Sequence, residues 1–368
     1  METRELSRCW AEIDLNALRH NARVARERVG PRTELMAVVK ANAYGHGLPH
    51  VAKALAGDAD LFGVATFDEA VEVHANAPHR PVLILGPALP EERGPIVQQR
   101  FIPSVSSYAE AAEFNAIADS QRVEVNLFID TGMGRVGVQE REAVSAAKAI
   151  SQLPLVALHS ISTHLPVADE DEAFTRDELS RFEKIVRDIR SEVTGNYKVH
   201  ALLSAGILGF ADHPFDIVRA GLLLYGASPL PEFQELLKPV MTVKARIALI
   251  RDMPAGATIS YGRTFTTPRP MRVATIGAGY ADAYPRSLSN SGAAVLIGGR
   301  RCPLLGRVTM DMTIVDVSDV TATVGDEAVL IGRQGAEEIL AAELAERAGT
   351  IAWEIFTGIG TRVRRVYL

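Results

Sequence analysis

Up to about residue 230, short apolar and β-branched runs alternate with segments whose apolar positions recur at helical spacing. The strand-like runs fall at 34–40, 61–65, 81–85, 101–105, 123–129, 156–162, 197–203 and 216–225, with helices between them such as 68–76 and 171–193. Strands alternating with helices predict a parallel sheet wrapped by helices, and eight is the number that closes a barrel. An open doubly wound sheet of the dinucleotide-binding kind lacks support, because no Gly-x-Gly-x-x-Gly follows the first strand. From Pro239 the texture changes to strand-like runs set apart by Gly and Pro turns, at 240–250, 273–276, 294–297, 313–317 and 328–331. One helix is expected among them at 336–348, with Ile339, Leu340, Leu344 and Ala348 on one face. The predicted class is therefore α/β: a (β/α)8 TIM-like barrel over residues 1–234, then a mainly-β domain over 235–368. The junction is expected near 230–238, and the first 14 or so residues are expected to pair with the second domain.

Composition narrows the function classes. The chain has 368 residues, 47% of them hydrophobic, which suffices for a large core and two domains. A formal net charge of -6 argues against an electrostatic nucleic-acid footprint. No apolar run approaches the roughly 18 residues of a membrane span, and the start carries no basic segment followed by an apolar one, so a cytoplasmic protein is expected. Cys9 and Cys302 stand far apart in no metal-ligand spacing, which points to a reducing compartment and to no metal site.

In a barrel of this kind, working residues lie at the carboxyl ends of the strands. Lys40 ends the first predicted strand, within Ala37-Val38-Val39-Lys40-Ala41-Asn42-Ala43-Tyr44-Gly45-His46-Gly47. Apolar neighbours there would desolvate its amine and favour the neutral nucleophile that attacks an aldehyde, although a solvated strand-end lysine is the commoner case. Arg135 follows the fifth strand in Asp130-Thr131-Gly132-Met133-Gly134-Arg135, His164 the sixth and Ser204 the seventh, and Arg219-Ala220-Gly221 accompanies the eighth. Tyr44, in a Gly-rich turn, Ser204 and the Gly221–Leu222 backbone could together bind a phosphate dianion.

The string around Lys40 resembles the pyridoxal-phosphate (PLP) attachment motif of bacterial alanine racemases. Trp10-Ala11-Glu12-Ile13-Asp14, Ile259-Ser260-Tyr261-Gly262-Arg263-Thr264-Phe265, Gly279-Tyr280-Ala281-Asp282 and Gly306-Arg307-Val308-Thr309-Met310-Asp311-Met312 resemble further motifs of that family, in order along nearly the whole chain. The resemblance implies that Lys40 holds PLP and that Tyr44, Ser204, Gly221 and Leu222 contact its phosphate. Arg219 would face the pyridine nitrogen and, always protonated, leave it without a proton. His164 would link Arg219 to the catalytic tyrosine, while Arg135 and the Met310 backbone would bind the substrate carboxylate. Lys40 and Tyr261 would be the two acid/base groups, Tyr261 reaching the cofactor of the other subunit of a homodimer. The implied reaction interconverts L- and D-alanine, supplying D-alanine for peptidoglycan.

Two positions depart from the pattern. Many members carry a carbamate-forming lysine two residues before the Asp of the Asp-Thr-Gly-Met-Gly-Arg string, where this chain has Phe128, and some place a tyrosine where it has Thr361. A serine or broad-specificity racemase of the same fold is the nearest alternative reading. A decarboxylase of the related barrel-plus-β group typically carries a Cys-Asp pair, whereas Cys302 is followed by Pro303. A non-catalytic PLP carrier would lack the second domain and Tyr261.

Overall fold

The computed structural model describes residues 7–213 and 215–368. The chain divides into two compact units, one comprising residues up to Ala17, Tyr44–Gly47 and Lys238–Leu368, the other Leu18–Ala43 and Leu48–Leu237.

The first strand, β1 (Cys9–Ile13), is fully buried. In the larger unit come β2 (Glu34–Val38), β3 (Leu61–Val64), β4 (Val82–Pro87), β5 (Ile102–Val105), β6 (Val123–Asp130), the short β7 (Val138–Gln139), β8 (Val156–Ser162), β9 (Lys198–His200) and β10 (Ile217–Ala220). They pair in parallel in the order β10-β2-β3-β4-β5-β6-β8-β9, with β7 beside β6. Backbone bonds from Asp216 N–H to Val199 C=O (2.9 Å) and from Arg219 N–H to Leu202 C=O (2.8 Å) bring the two ends of the ring together. The Asp216 carboxylate adds a bond from Val199 N–H at 2.8 Å. The result is the expected eight-stranded parallel barrel, nearly closed.

Three of the helices start at a side-chain cap. Thr66 and Ser107 accept from the amides of Glu69 and Glu110 three residues on, and Asp171 caps the 21-residue helix Glu172–Glu192 through Phe174 N–H. That helix buries Leu179, Phe182, Ile185, Val186 and Ile189, the i, i+3, i+4, i+7 stripe of an element lying on a sheet.

The smaller unit holds β11 (Met241–Met253), β12 (Thr258–Ile259), β13 (Phe265–Thr266), β14 (Met271–Ile276), β15 (Ala294–Ile297), β16 (Arg300–Pro303), β17 (Thr313–Asp316), β18 (Glu327–Gln334), β19 (Glu337–Ile339) and β20 (Arg364–Tyr367). Its main sheet runs β16-β15-β18-β11-β1-β20. Of the first 14 residues expected to join this unit, 1–6 lie outside the described residues, while Cys9–Ile13 pairs antiparallel with β11 and parallel with β20. Buried Glu12 in β1 meets Lys244 of β11 at 3.0 Å, so a strand distant in sequence is held by an ion pair as well as by its ladder.

Three sequence expectations need correction. The eighth barrel strand ends at Ala220 and Leu222–Tyr225 is a 3₁₀ turn, because Gly221 adopts φ -116, ψ -102 and breaks the extended run. The helix expected over 336–348 covers only Ala341–Ala348; Glu337–Ile339 instead pairs with β18, edge pairing having overridden the helical spacing. Lys40 does not end a strand, since β2 stops at Val38.

The barrel core is close-packed around side chains such as Leu127, which is fully buried on β6. Leu127→Ala is expected to lower unfolding free energy by about 2–5 kcal/mol, the usual range for a buried Leu→Ala cavity. Urea unfolding should show a lower midpoint; an unchanged one would mean that β6 is not core.

Candidate active site

Lys40 opens a turn that no helix prediction anticipates. Ala41, Asn42, Ala43 and Tyr44 all have φ between 52° and 54°, a full left-handed turn built without glycine. Each such residue costs roughly 1–2 kcal/mol relative to the right-handed form, so the turn must be held from outside. Glu69 does part of this: one carboxylate oxygen accepts from Ala41 N–H (2.6 Å) and the other from Ala65 N–H (2.8 Å). The Asn42 side chain accepts from Leu48 N–H at 2.8 Å, and Ala43 N–H reaches back to Val39 C=O at 2.8 Å. The tail of the loop needs glycine for space as well as angle. A Cβ on Gly45 (φ +79) would stand 2.1 Å from the Phe356 carbonyl oxygen, and Arg365 clamps the Gly45 carbonyl with two bonds of 2.8 and 3.0 Å.

The Lys40 amine has no hydrogen-bond or ion-pair partner among the described residues. Burial, then Arg135, pushes its pKa down; Glu69 opposes this and Arg219 adds to it. His164 is held down to about 3 by burial and by Arg219, Arg135 and Lys40, so it is a neutral imidazole at physiological pH. The predicted residues Lys40, Arg135, His164 and Arg219 therefore share one electrostatic neighbourhood at one end of the barrel. Arg135 itself is solvent-exposed, and nearby Phe128 is buried in β6.

Arg219 is only 4% exposed and has no carboxylate partner among the described residues. Its guanidinium donates to His200 Nδ1 (2.6 Å), Thr163 C=O (2.6 Å), Ala201 C=O (2.8 Å) and His200 C=O (3.2 Å). Burial lowers its pKa to about 10, which leaves it charged at neutral pH. No hydrogen bond joins it to His164 among the described residues; its bonds go to His200 and to the Thr163 and Ala201 carbonyls. Thr163 also lies 2.5 Å from the Thr131 hydroxyl, which donates to Glu178 at 2.6 Å. Sequence reasoning missed His200, Thr163, Thr131 and Glu178. Only His200, a titratable group inside a predicted strand, carried a readable signal.

Ser204 ties the last two barrel loops together, its hydroxyl accepting from Gly221 N–H (3.1 Å) and Leu223 N–H (3.2 Å). Ser204–Gly209 and Leu222–Tyr225 are both helical turns whose N-cap residue makes no side-chain cap bond; Ser204 takes Gly221 N–H and Leu223 N–H, and the leading Leu222 N–H is left for another acceptor. Tyr44 is buried, which pushes its hydroxyl pKa upward.

In the smaller unit, Tyr261 is 72% exposed and Met310 52% exposed. Ser260 (φ 62) and Gly262 (φ 71) turn the chain sharply on either side of Tyr261, and the Ser260 hydroxyl bonds Arg307 C=O at 2.6 Å. Met310 sits in a loop zipped to Gly279–Asp282: Tyr280 N–H and Ala281 N–H donate to the carbonyls of Thr309 and Met310, both at 3.0 Å. Arg362 bridges Asp282 (3.1 Å) and Asp311 (2.7 Å), clamping the two loops, while neighbouring Thr361 is exposed. A Cβ on Gly279 would fall 2.2 Å from the Thr309 carbonyl oxygen, so only glycine permits this approach. Among the described residues no cluster of metal-binding side chains occurs, and no helix is long and apolar enough to cross a membrane.

Residues 13–229 match the alanine racemase N-terminal domain family and residues 240–367 the alanine racemase C-terminal domain family. An alanine racemase of Methylacidiphilum infernorum is 41% identical over 367 residues, covering 98% of this chain and 92% of that protein. The crystal structure of alanine racemase from D-cycloserine-producing Streptomyces lavendulae superposes with a TM-score of 0.92 at 36% identity, covering 98% of this chain and 97% of that one. Alanine racemase from Bartonella henselae, crystallised with covalently bound pyridoxal phosphate, has a TM-score of 0.90 at 30% identity, covering 98% and 100%.

Two outcomes follow from this geometry. A protonated amine is inert, so reductive methylation of Lys40 in cofactor-free protein should fall off as pH drops through its pKa. Because that pKa is depressed, the fall should occur at lower pH than for other lysines; peptide mapping giving the same midpoint would contradict the desolvated amine. Gly279→Ala must displace the Thr309–Met310 backbone and should lower the melting temperature in thermal unfolding; an unchanged one would contradict this close approach.

Proposed function

The chain belongs to the alanine racemase family, and on that premise we propose how its own residues divide the work of interconverting L- and D-alanine. Lys40 would hold PLP covalently, and the chemistry of the site supports this. Its amine is unpartnered and desolvated, as a nucleophile toward an aldehyde requires. Among the described residues Lys40 and Arg219 make no ion pair, which suits an anionic ligand. Ser204, which accepts from Gly221 N–H and Leu223 N–H and keeps its own hydroxyl proton to donate, and the leading Leu222 N–H supply donors for a phosphate, and Tyr44 a phenol four residues beyond Lys40. When bound, PLP supplies an electron sink for the pair left on Cα as its proton departs.

The residues do the rest. Lys40 takes or returns the Cα proton on one face, and Tyr261 does so on the other. The Arg219 guanidinium offers donor protons only and cannot accept one. Neutral His164 can pass a hydrogen bond without adding charge. Arg135 and the Met310 backbone bind the substrate carboxylate, with Phe128 excluding the carbamate that many relatives place beside that arginine.

Homodimer formation belongs to the same reading, with Tyr261 of the partner subunit completing each site. Its support is the exposure of Tyr261, Tyr280, Met310 and Met312 in the smaller unit, where such large side chains would otherwise face water. A cytoplasmic enzyme feeding D-alanine to peptidoglycan precursors is the role we assign from family membership.

The single observation that carries the reading is the unpartnered, desolvated Lys40 beside a buried, carboxylate-free Arg219. Tyr261→Phe should keep bound PLP, seen by absorbance, while losing about 10²–10⁴-fold in racemisation. Unchanged turnover would remove Tyr261 from the mechanism. Comparable turnover of L-serine and L-alanine by the unmodified enzyme would favour a broad-specificity racemase.

A further inference from the structure

Four consecutive barrel-core strands, setting aside short β7, each carry a polar residue that is nearly or fully buried. These are Ser104 on β5, Asn126 on β6, Ser160 on β8 and His200 on β9, and they lead to Arg219 on β10. They form one hydrogen-bonded line, and the direction of every bond in it can be deduced. A guanidinium is donor-only, so the 2.6 Å contact makes His200 Nδ1 an acceptor without a proton. A neutral ring then carries its proton on Nε2, which must donate to Ser160 Oγ at 3.3 Å. The Ser160 hydroxyl donates to Asn126 Oδ1 at 2.9 Å. The Asn126 amide donates to Ser104 Oγ at 3.0 Å, and Ser104 to the Ile84 carbonyl at 2.7 Å. His159 Nδ1, 3.0 Å from Ser160 Oγ, can use the remaining lone pair there.

The line begins at a fixed donor and ends at a fixed acceptor, so it cannot be reversed without leaving a buried group unmatched. Such a mismatch costs about 1–3 kcal/mol. We propose that Ser160 and Asn126 are positioning residues that lock His200 in its neutral, Nε2-protonated form, keeping the Nδ1 lone pair turned to Arg219 and the guanidinium in a single orientation. Doubly protonated His200 would set two donors against each other beside a guanidinium that has no carboxylate partner among the described residues. The Nδ1-protonated tautomer would do the same. The consequence for the reaction rests on the role assigned to Arg219 above; the tautomer does not.

The test is ¹⁵N NMR of the histidine-labelled holoenzyme at neutral pH, with His200 assigned by the signal lost in His200→Asn. The expected spectrum shows Nδ1 unprotonated and Nε2 protonated. Ser160→Ala strips the buried Nε2–H of its acceptor, so the ring should turn away and loosen its contact with Arg219, shifting that pattern toward the other tautomer or a mixture and lowering kcat/KM about tenfold, the scale of one lost hydrogen bond in a charged network. Ser160→Thr, which keeps the hydroxyl, should restore both. If Ser160→Ala does not fold, Ser160→Cys, near-isosteric with a weak acceptor, takes its place with the same expected direction. A wild-type His200 protonated on Nδ1, or on both nitrogens, overturns the proposal whatever the racemase activity. So does an unchanged His200 pattern in a folded Ser160 variant. A preserved tautomer lock in a protein that racemises nothing would instead count against the functional reading and leave the relay standing.

Discussion

A guanidinium buried without a carboxylate is the constraint around which the barrel end is arranged. Removing such a charge from water costs several kcal/mol even after relaxation. Arg219 recovers this from three carbonyl oxygens and one imidazole nitrogen, all neutral acceptors. Because its partners among the described residues are all neutral, its charge acts on its neighbours. It helps hold His164 and His200 unprotonated and adds to the burial and the Arg135 field that depress the Lys40 amine. One desolvated cation thus adds to burial, the larger cause in each case, in disfavouring the protonated form of three other groups, and a carboxylate placed beside it would remove that added share.

The reactive lysine depends on a second constraint, the left-handed turn from Ala41 to Tyr44. A strand end in ordinary geometry would carry the next residue into a right-handed helix or an extended loop. Here the Glu69 carboxylate takes up the Ala41 amide and the Asn42 side chain accepts from the Leu48 amide, which pins the turn in an otherwise costly conformation. The turn is stable only because residues from the following strand and helix over-determine it. The smaller unit solves its own positioning problem differently. Arg362 fixes the Met310 loop to the Gly279–Asp282 turn by bridging two aspartates across a glycine that cannot tolerate a side chain.

Strand positions in the barrel were legible because a parallel strand buried on both faces is a run of apolar residues, bounded by turn chemistry that is local in sequence. Helix starts were legible for the same reason, with Asp171 lying three residues before the amide it caps. Errors fell where a distant partner decided the outcome. Glu337–Ile339 had helical spacing but found an open edge at β18, and Lys40 left the strand register because Glu69, 29 positions on, captured the next amide. The site residues at the strand ends could be proposed from barrel geometry and motif resemblance. The partners that tune them could not, since His200, Thr163, Thr131 and Glu178 act through contacts across strands.

By itself the sequence determined the class, the barrel count, the second β domain, the lysine-bearing motif and the family. All of these are written in local periodicity or in contiguous strings, where spacing alone carries the information. Tertiary structure alone decided which charges are desolvated, which way each buried hydrogen bond runs, and that a tyrosine and a methionine at the surface of one unit stay exposed. Those properties depend on distances between residues tens to hundreds of positions apart. Dielectric environment and donor–acceptor matching exist only once the strands have been brought together.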